Sequence, residues 1–170
     1  MLSKDIGLIL AFTGVGKKSV VVDAGTGSGF LAASLANVAK KVVTYEWREE
    51  FANLAQENFE RAGLKNIKLK RKDIFAGISE ENVDLVCLDM AESDKVVASA
   101  FKALKKDGYL VGYLPHTEQV KAFVGECVKA GFSDIFTVEC ILREMLVREA
   151  GTRPDTKGLW HTAYLTFARK

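Results

Sequence analysis

The sequence predicts an α/β fold: a mostly parallel sheet of seven strands that finishes in a C-terminal antiparallel hairpin, within one domain over residues 1–170. Three observations carry that expectation. Apolar, β-branched runs alternate with segments of helical periodicity five times along the chain. A glycine-rich turn, Asp23-Ala-Gly25-Thr-Gly27-Ser-Gly29, follows the first of those runs directly. Helical periodicity stops after Gly131, and two extended segments take its place. Alternating strands and helices are the signature of parallel βα units, whereas successive extended segments pair antiparallel.

"KDIGLILAF", Lys4 to Phe12, spaces its apolar side chains for one helix face. The run "SVVVDAG", Ser19 to Gly25, is uninterrupted, as a central strand covered on both faces should be. Ser28 to Val38, rich in Ala and Leu, reads as a helix, and Lys40 to Glu46 as the second strand. Arg48 to Gly63 is a helix stopped by a glycine suited to the left-handed position past the last turn. Asn66 to Asp73 alternates apolar and basic residues, which suits a strand nearer the edge. Val83 to Met90 is the fourth strand, Asp94 to Lys106 a helix, and Gly108 to Pro115 the fifth strand. Thr117 to Gly131 is a helix with Thr117 as N-cap. The closing hairpin is expected from Asp134–Val147 and His161–Arg169, joined by a loop holding "GTRPDTKG". No repeat, low-complexity tract or linker divides the chain.

Composition narrows the function classes. A chain of 170 residues buries a substantial core. With 24 basic and 22 acidic residues the net charge is +2, so any polyanion-binding surface has to be local. Cys87, Cys127 and Cys140 are odd in number and lack C-x-x-C spacing, which argues against disulfides and structural zinc and fits a reducing compartment. Two histidines, His116 and His161, offer a metal site little, and none is expected. The N-terminal apolar stretch is too short to span a membrane and has no small-residue cleavage site. A cytoplasmic protein without membrane contact is the expectation.

Glycines between a strand and a helix let the backbone bend sharply and approach a ligand with no side chain between. A dinucleotide and S-adenosylmethionine are both held this way. The dinucleotide fingerprint is G-x-G-x-x-G, which aims a helix N-terminus at a pyrophosphate. Gly25, Gly27 and Gly29 do not fit it, because position 30 is Phe. Asp23 would repel a pyrophosphate but can steer a cationic amino-acid group. Glu46, at the tip of the second strand, can accept both ribose hydroxyls, a role that would serve NAD equally. Asp73, after the third strand, is placed to accept from an adenine amino group, with Ile74 packing on the ring. Thr26 and Ser28 in the turn, Trp47 beside Glu46, and Asp89 complete the expected cofactor set. Each carboxylate alone could be a solvated group or a cap; together, at successive strand ends, they point to S-adenosylmethionine. A dinucleotide domain would also continue with a sixth parallel strand. The terminal hairpin instead resembles the Rossmann-like, class I methyltransferases that use S-adenosylmethionine.

A closer resemblance rests on "KDIGLIL", "DAGTGSG", "TYEWREEFANLAQENF", "CLDM", "GYLPHTEQV" and the tail "REMLVREAGTRPDTKGLWHTAYLTFARK". The glycine turn and "LD" are shared by many methyltransferases; the Y-L-P-x-x-x-Q-V stretch and the tail are more specific. Over nearly the whole chain, from about Lys4 onward, the sequence is similar to the archaeal and bacterial tRNA (adenine-N1)-methyltransferases acting at position 57 or 58. Family members carry a further small N-terminal β-domain, which this chain is expected to lack. Leu2 stands where the family usually has an active-site tyrosine, and "LDMAESDK" replaces a Glu/Asp-Pro-Trp segment.

The resemblance implies methyl transfer from S-adenosylmethionine to N1 of an adenine in tRNA. Asp89, at the carboxyl end of the fourth strand, would accept from the 6-amino group and stabilise the positive charge that develops on the base. A carboxylate there could otherwise cap the next helix. Tyr113 matches a family position near the target base; read without the family, an aromatic in "YLVGYL" is a core residue. His116, Gln119, Arg143 and Arg153 are candidate substrate contacts, with Arg148 a further candidate for phosphate. His161 is expected to pack in the hairpin. Self-association, as a tetramer, is implied by resemblance alone. Three other readings have definite marks: a small-molecule methyltransferase of corrinoid type should lack the tail motif, a cofactor-binding inactive partner should show decay of the glycine turn, and a nicotinamide oxidoreductase should show the other glycine spacing.

Overall fold

The computed structural model describes every residue from Met1 to Lys170. Helix α1 (Ser3–Thr13) leads to β1 (Val20–Ala24), α2 (Phe30–Ala36), β2 (Lys41–Tyr45), α3 (Glu49–Arg61) and β3 (Ile67–Lys70). A 3-10 turn (Ile74–Ala76) precedes β4 (Val83–Leu88), and a second (Ser93–Val96) runs into α4 (Val97–Ala103). Then come β5 (Leu104–Leu114), α5 (Thr117–Ala130), β6 (Ser133–Glu139), β7 (Met145–Arg148), β8 (Gly151–Pro154) and β9 (Tyr164–Arg169).

Seven strands form one sheet in the order β3-β2-β1-β4-β5-β9-β6. The first five are parallel, and β9 inserts antiparallel between β5 and β6. This is the Rossmann-like arrangement expected, closed by one reversed strand. Alternation along each strand sends neighbours to opposite faces. Val22, Val86 and Leu110 pack on one face with Val97, Ala100 and Phe123. Val21, Leu85 and Val111 pack on the other with Ile9, Leu35 and Phe59. Burial on both faces explains the unbroken apolar runs.

Several expected boundaries move. The helix expected from Ser28 begins at Phe30, because Gly29 adopts φ 85° as its N-cap. The helix expected over Asp94–Lys106 starts as a 3-10 turn and ends at Ala103. Leu104 instead pairs with Val83 and buries its side chain, and Asp107 at φ 64° accompanies a register shift between Val83 and Leu85. Thr117 is the first helical residue, not the cap. His116 is the N-cap, and its backbone N–H donates to the Gln119 side chain at 3.1 Å.

The C-terminal segments differ most. Asp134–Val147 is not one strand: β6 stops at Glu139, and the chain resumes as β7, which pairs with β8 in a separate two-stranded hairpin. Gly151–Pro154, expected in a loop, is β8. A single strand over the whole segment would far outrun its partner β9 and leave backbone groups unpaired.

Candidate active site

The chain steps outward from β1 to β2 and β3, then crosses back to β4 on the other side of β1. That reversal opens a crevice at the carboxyl ends of β1 and β4, the usual ligand position in such sheets. The glycine turn bridges it, and its glycines serve different ends. At Gly25 a Cβ would lie 2.0 Å from the Asp89 carbonyl oxygen, so the residue lets the ends of β1 and β4 touch. At Gly29 a Cβ would lie 2.5 Å from the Phe59 ring, so this glycine lets the turn pack on α3. Gly27, at φ 52°, would project a Cβ into open space, its nearest contact 3.9 Å away. Of the three, only the middle glycine has room for a side chain.

Two cavities meet at this point. One of about 360 Å³ is lined by Gly25, Glu46, Trp47, Asp73, Ile74 and Asp89, among others. A smaller one of about 110 Å³ is lined by Gly25, Thr26, Gly27, Ser28 and Asp89, with Met1, Phe30 and Leu31. Asp89 faces both. Its backbone N–H donates to Ala24, which ties the end of β4 to β1. Burial raises its pKa, the N-terminal amine of Met1 at 3.6 Å opposes that, and Asp5 adds to it.

Glu46 follows β2 and is buried, yet its carboxylate accepts four hydrogen bonds. Oε1 accepts from the Arg48 backbone N–H at 3.1 Å and from its Nε at 2.9 Å. Oε2 accepts from the Gly27 N–H at 3.1 Å and from Arg48 Nη2 at 3.1 Å. Burial opposes its ionisation, but the Arg48 and Gly27 donors outweigh it and hold the pKa below the ordinary glutamate value. Asp73 accepts from the Phe75 N–H at 2.9 Å and starts the 3-10 turn that sets Ile74 into the cavity wall.

Asp23 lies beneath the turn and lines neither cavity. It is 1% exposed; one oxygen accepts from Thr44 at 2.6 Å and Oδ1 has no partner. Burial pushes its pKa up to about 7, partly offset by the Thr44 bond and reinforced by Asp89 and Glu46. Asp23 therefore lies behind the turn, where its side chain reaches neither cavity directly. Thr26 also turns inward, its hydroxyl bonded to Thr44 at 2.5 Å and donating to the Tyr45 carbonyl at 3.0 Å.

Other expected residues stand apart from these cavities. Tyr113, near the end of β5, points its hydroxyl at Asp5 across 3.5 Å; burial raises its pKa, and Asp5 and Asp89 contribute. His116 and Gln119 open α5 and line neither cavity. Arg143 lies 5.2 Å over the Trp160 ring, beside a third cavity of about 360 Å³ that includes Leu2 and Lys4. Arg153 and Arg148 are exposed on the β7–β8 hairpin. His161 is not packed in the hairpin: it is exposed, bonded to Glu139 at 2.5 Å and to the Pro115 carbonyl at 2.9 Å. Arg48, Phe75, Met90 and Glu92 line the larger cavity without having been expected. Arg48 is signalled by its place two residues beyond a strand-end glutamate, and Met90 and Glu92 by the LDMAESDK segment; Phe75 carries no motif.

Comparison with known proteins fits this geometry. The family described as "tRNA methyltransferase complex GCD14 subunit" matches residues 1–154. The chain belongs to that family. A tRNA (adenine(57)-N(1)/adenine(58)-N(1))-methyltransferase of Methanocaldococcus jannaschii is 40% identical to it over 199 aligned positions, covering 99% of this chain and 71% of that protein. Among solved structures, the tRNA (m1A58) methyltransferase of Aquifex aeolicus superposes with a TM-score of 0.93 at 30% identity, over 99% of this chain and 69% of that one. A SAM-dependent O-methyltransferase of Thermotoga maritima superposes at 0.96 with 32% identity, over 100% and 66%. The chain thus spans about two thirds of each of these two solved structures. Fold and family are those of S-adenosylmethionine-dependent methyltransferases, and the residues present suit that cofactor. It is cationic, and the cavities present it with the Glu46 and Asp89 carboxylates. No group of His, Cys, Asp or Glu is arranged to hold a metal ion, and no helix is long and apolar enough to cross a membrane.

Proposed function

We propose that residues 1–170 are one methyltransferase domain that transfers the methyl group of S-adenosylmethionine to N1 of an adenine in tRNA. One observation carries the reading: Asp89 lines both cavities at the carboxyl end of β4. The larger cavity holds the groups suited to an adenosine, Glu46 for the ribose hydroxyls and Asp73 with Ile74 for the base. The smaller lies along the Gly27 backbone, suited to the methionine end.

The cofactor supplies an electrophilic sulfonium methyl. Adenine N1 already has a lone pair at neutral pH, so the protein's work is proximity and orientation. Asp89 accepts from the 6-amino group of the target base and stabilises the positive charge the base acquires as the N1–methyl bond forms. Partial burial makes that carboxylate more effective than one in water. Tyr113 flanks the base, and His116, Gln119, Arg143 and Arg153 contact the surrounding RNA. Self-association as a tetramer in the cytoplasm belongs to the same reading and is checked by light scattering.

The test is radiolabelled S-adenosylmethionine with unmodified tRNA transcripts and nucleoside analysis of the product. Label should appear as 1-methyladenosine, and Asp89→Asn should lower kcat by about a hundredfold, roughly 2.7 kcal/mol of transition-state stabilisation. Label on another atom, or an Asp89→Asn rate equal to wild type, overturns the reading.

A further inference from the structure

Lysine and aspartate in the first turn of a surface helix ordinarily sit in water. Lys4 and Asp5 do not: their side chains are 7% and 0% exposed, and they form an ion pair at 2.7 Å. The Lys4 ammonium also donates to the Cys140 carbonyl at 2.6 Å and to the Thr162 hydroxyl at 2.8 Å, so all three of its protons are used. Cys140 directly follows β6, and Thr162 stands two residues before β9. One ammonium therefore ties together both roots of the excursion that carries the β7–β8 hairpin, Arg143 and Trp160. Asp5 completes the cluster. Its Oδ2 accepts from Thr162 at 3.2 Å and faces the Tyr113 hydroxyl at 3.5 Å.

Desolvating such a pair makes it a poor source of net stability, since apolar residues of similar volume fill a core as well or better. What apolar residues lack is direction. Four fixed bonds set the hairpin roots, α1 and Tyr113 at definite distances from one another. We propose that Lys4 and Asp5 are positioning residues, which lock the roots of the β7–β8 hairpin to the end of β5 and fix the orientation of Tyr113. The proposal rests on the preceding reading, in which Tyr113 and Asp89 flank the target base.

Thr162→Val removes the hydroxyl shared by Lys4 and Asp5 without stranding a charge, and so guards against a variant that fails to fold. Asp5→Asn is the second variant and Tyr113→Phe the third. In Thr162→Val, amide exchange over residues 141–160 should quicken about tenfold while the affinity for S-adenosylhomocysteine, read by calorimetry, stays within about twofold. With tRNA, kcat should fall about tenfold at little change in KM for the cofactor, and adding Tyr113→Phe should cost less than about twofold more. Unchanged exchange, unchanged kcat, or fully additive losses each overturn the proposal. Should the wild type leave tRNA unlabelled, the substrate reading fails by itself. Hairpin exchange and the ring resonances of Tyr113 in Asp5→Asn then decide the positioning role: both must shift, and either one staying at its wild-type value overturns it.

Discussion

At the scale of single residues, the two carboxylates at the ends of β1 and β2 behave oppositely because their donors differ. Glu46 has all its lone-pair positions filled, two of the four bonds coming from the Arg48 side chain. In the proposed cofactor site a ribose diol would have to displace that guanidinium, which is 44% exposed and rests 4.0 Å over Phe51. Discounted for solvent screening, the lost ion pair costs about 1 kcal/mol, so Arg48→Ala should tighten S-adenosylhomocysteine roughly fivefold in calorimetry. Weaker binding would show that Arg48 contacts the cofactor instead. Asp23 has the reverse problem, with one bond, an orphaned oxygen and a pKa of about 7. An acid whose folded-state pKa is raised holds its proton in the native state after the unfolded chain has lost it. Stability therefore falls as pH rises from about 4 to about 7, by about 4 kcal/mol over the window. Asp23→Asn should flatten that slope, with denaturation midpoints above wild type at pH 8 and converging toward pH 4; parallel curves would refute the assignment.

At the scale of elements, the glycine turn was legible as a motif while the separate duties of its glycines were not. Spacing in sequence says that backbone comes close to something; only packing says to what. Gly29→Ala adds a methyl where Phe59 and Ala55 of α3 leave no room, at a positive φ. It should destabilise the fold by about 2–4 kcal/mol in urea titration. Gly27→Ala meets open space and pays only for its φ of 52°, about 1 kcal/mol. Its larger effect should be on cofactor affinity, because the new methyl would enter the smaller cavity, the proposed seat of the methionine end. If the two substitutions exchange these effects in parallel urea and calorimetric titrations, the division of roles is wrong. The end of α4 and the breaks in the C-terminal strands escaped local reading for a related reason. Leu104 has good helix propensity, yet burial against Val83 in the sheet outweighs it.

At the scale of the whole molecule, the seven-stranded sheet and the β7–β8 hairpin are joined where β5 and β6 end and β9 begins. His161 spans that joint between Glu139 and the Pro115 carbonyl, and both bonds together require the doubly protonated ring. Glu139 is the main cause that raises its pKa, followed by the Pro115 carbonyl, while Lys4 opposes. A raised pKa makes this contribution to the joint complete below the unfolded value near 6.5 and lost as pH climbs through the folded value. NMR titration should place the His161 midpoint above 6.5, and Glu139→Gln should lower it; a wild-type midpoint at or below 6.5 would refute the link. The sequence by itself determined the βα alternation, the doubly covered central strands, the glycine turn and the carboxylates at successive strand ends, because side-chain periodicity and glycine spacing are local properties. Tertiary structure alone decided that Asp23 lies behind the turn, that β7 and β8 leave the main sheet as a hairpin of their own, and that Lys4 and Asp5 are buried. Each of these depends on which distant groups compete for the same hydrogen bonds and the same space, and the order of residues along the chain does not record that competition.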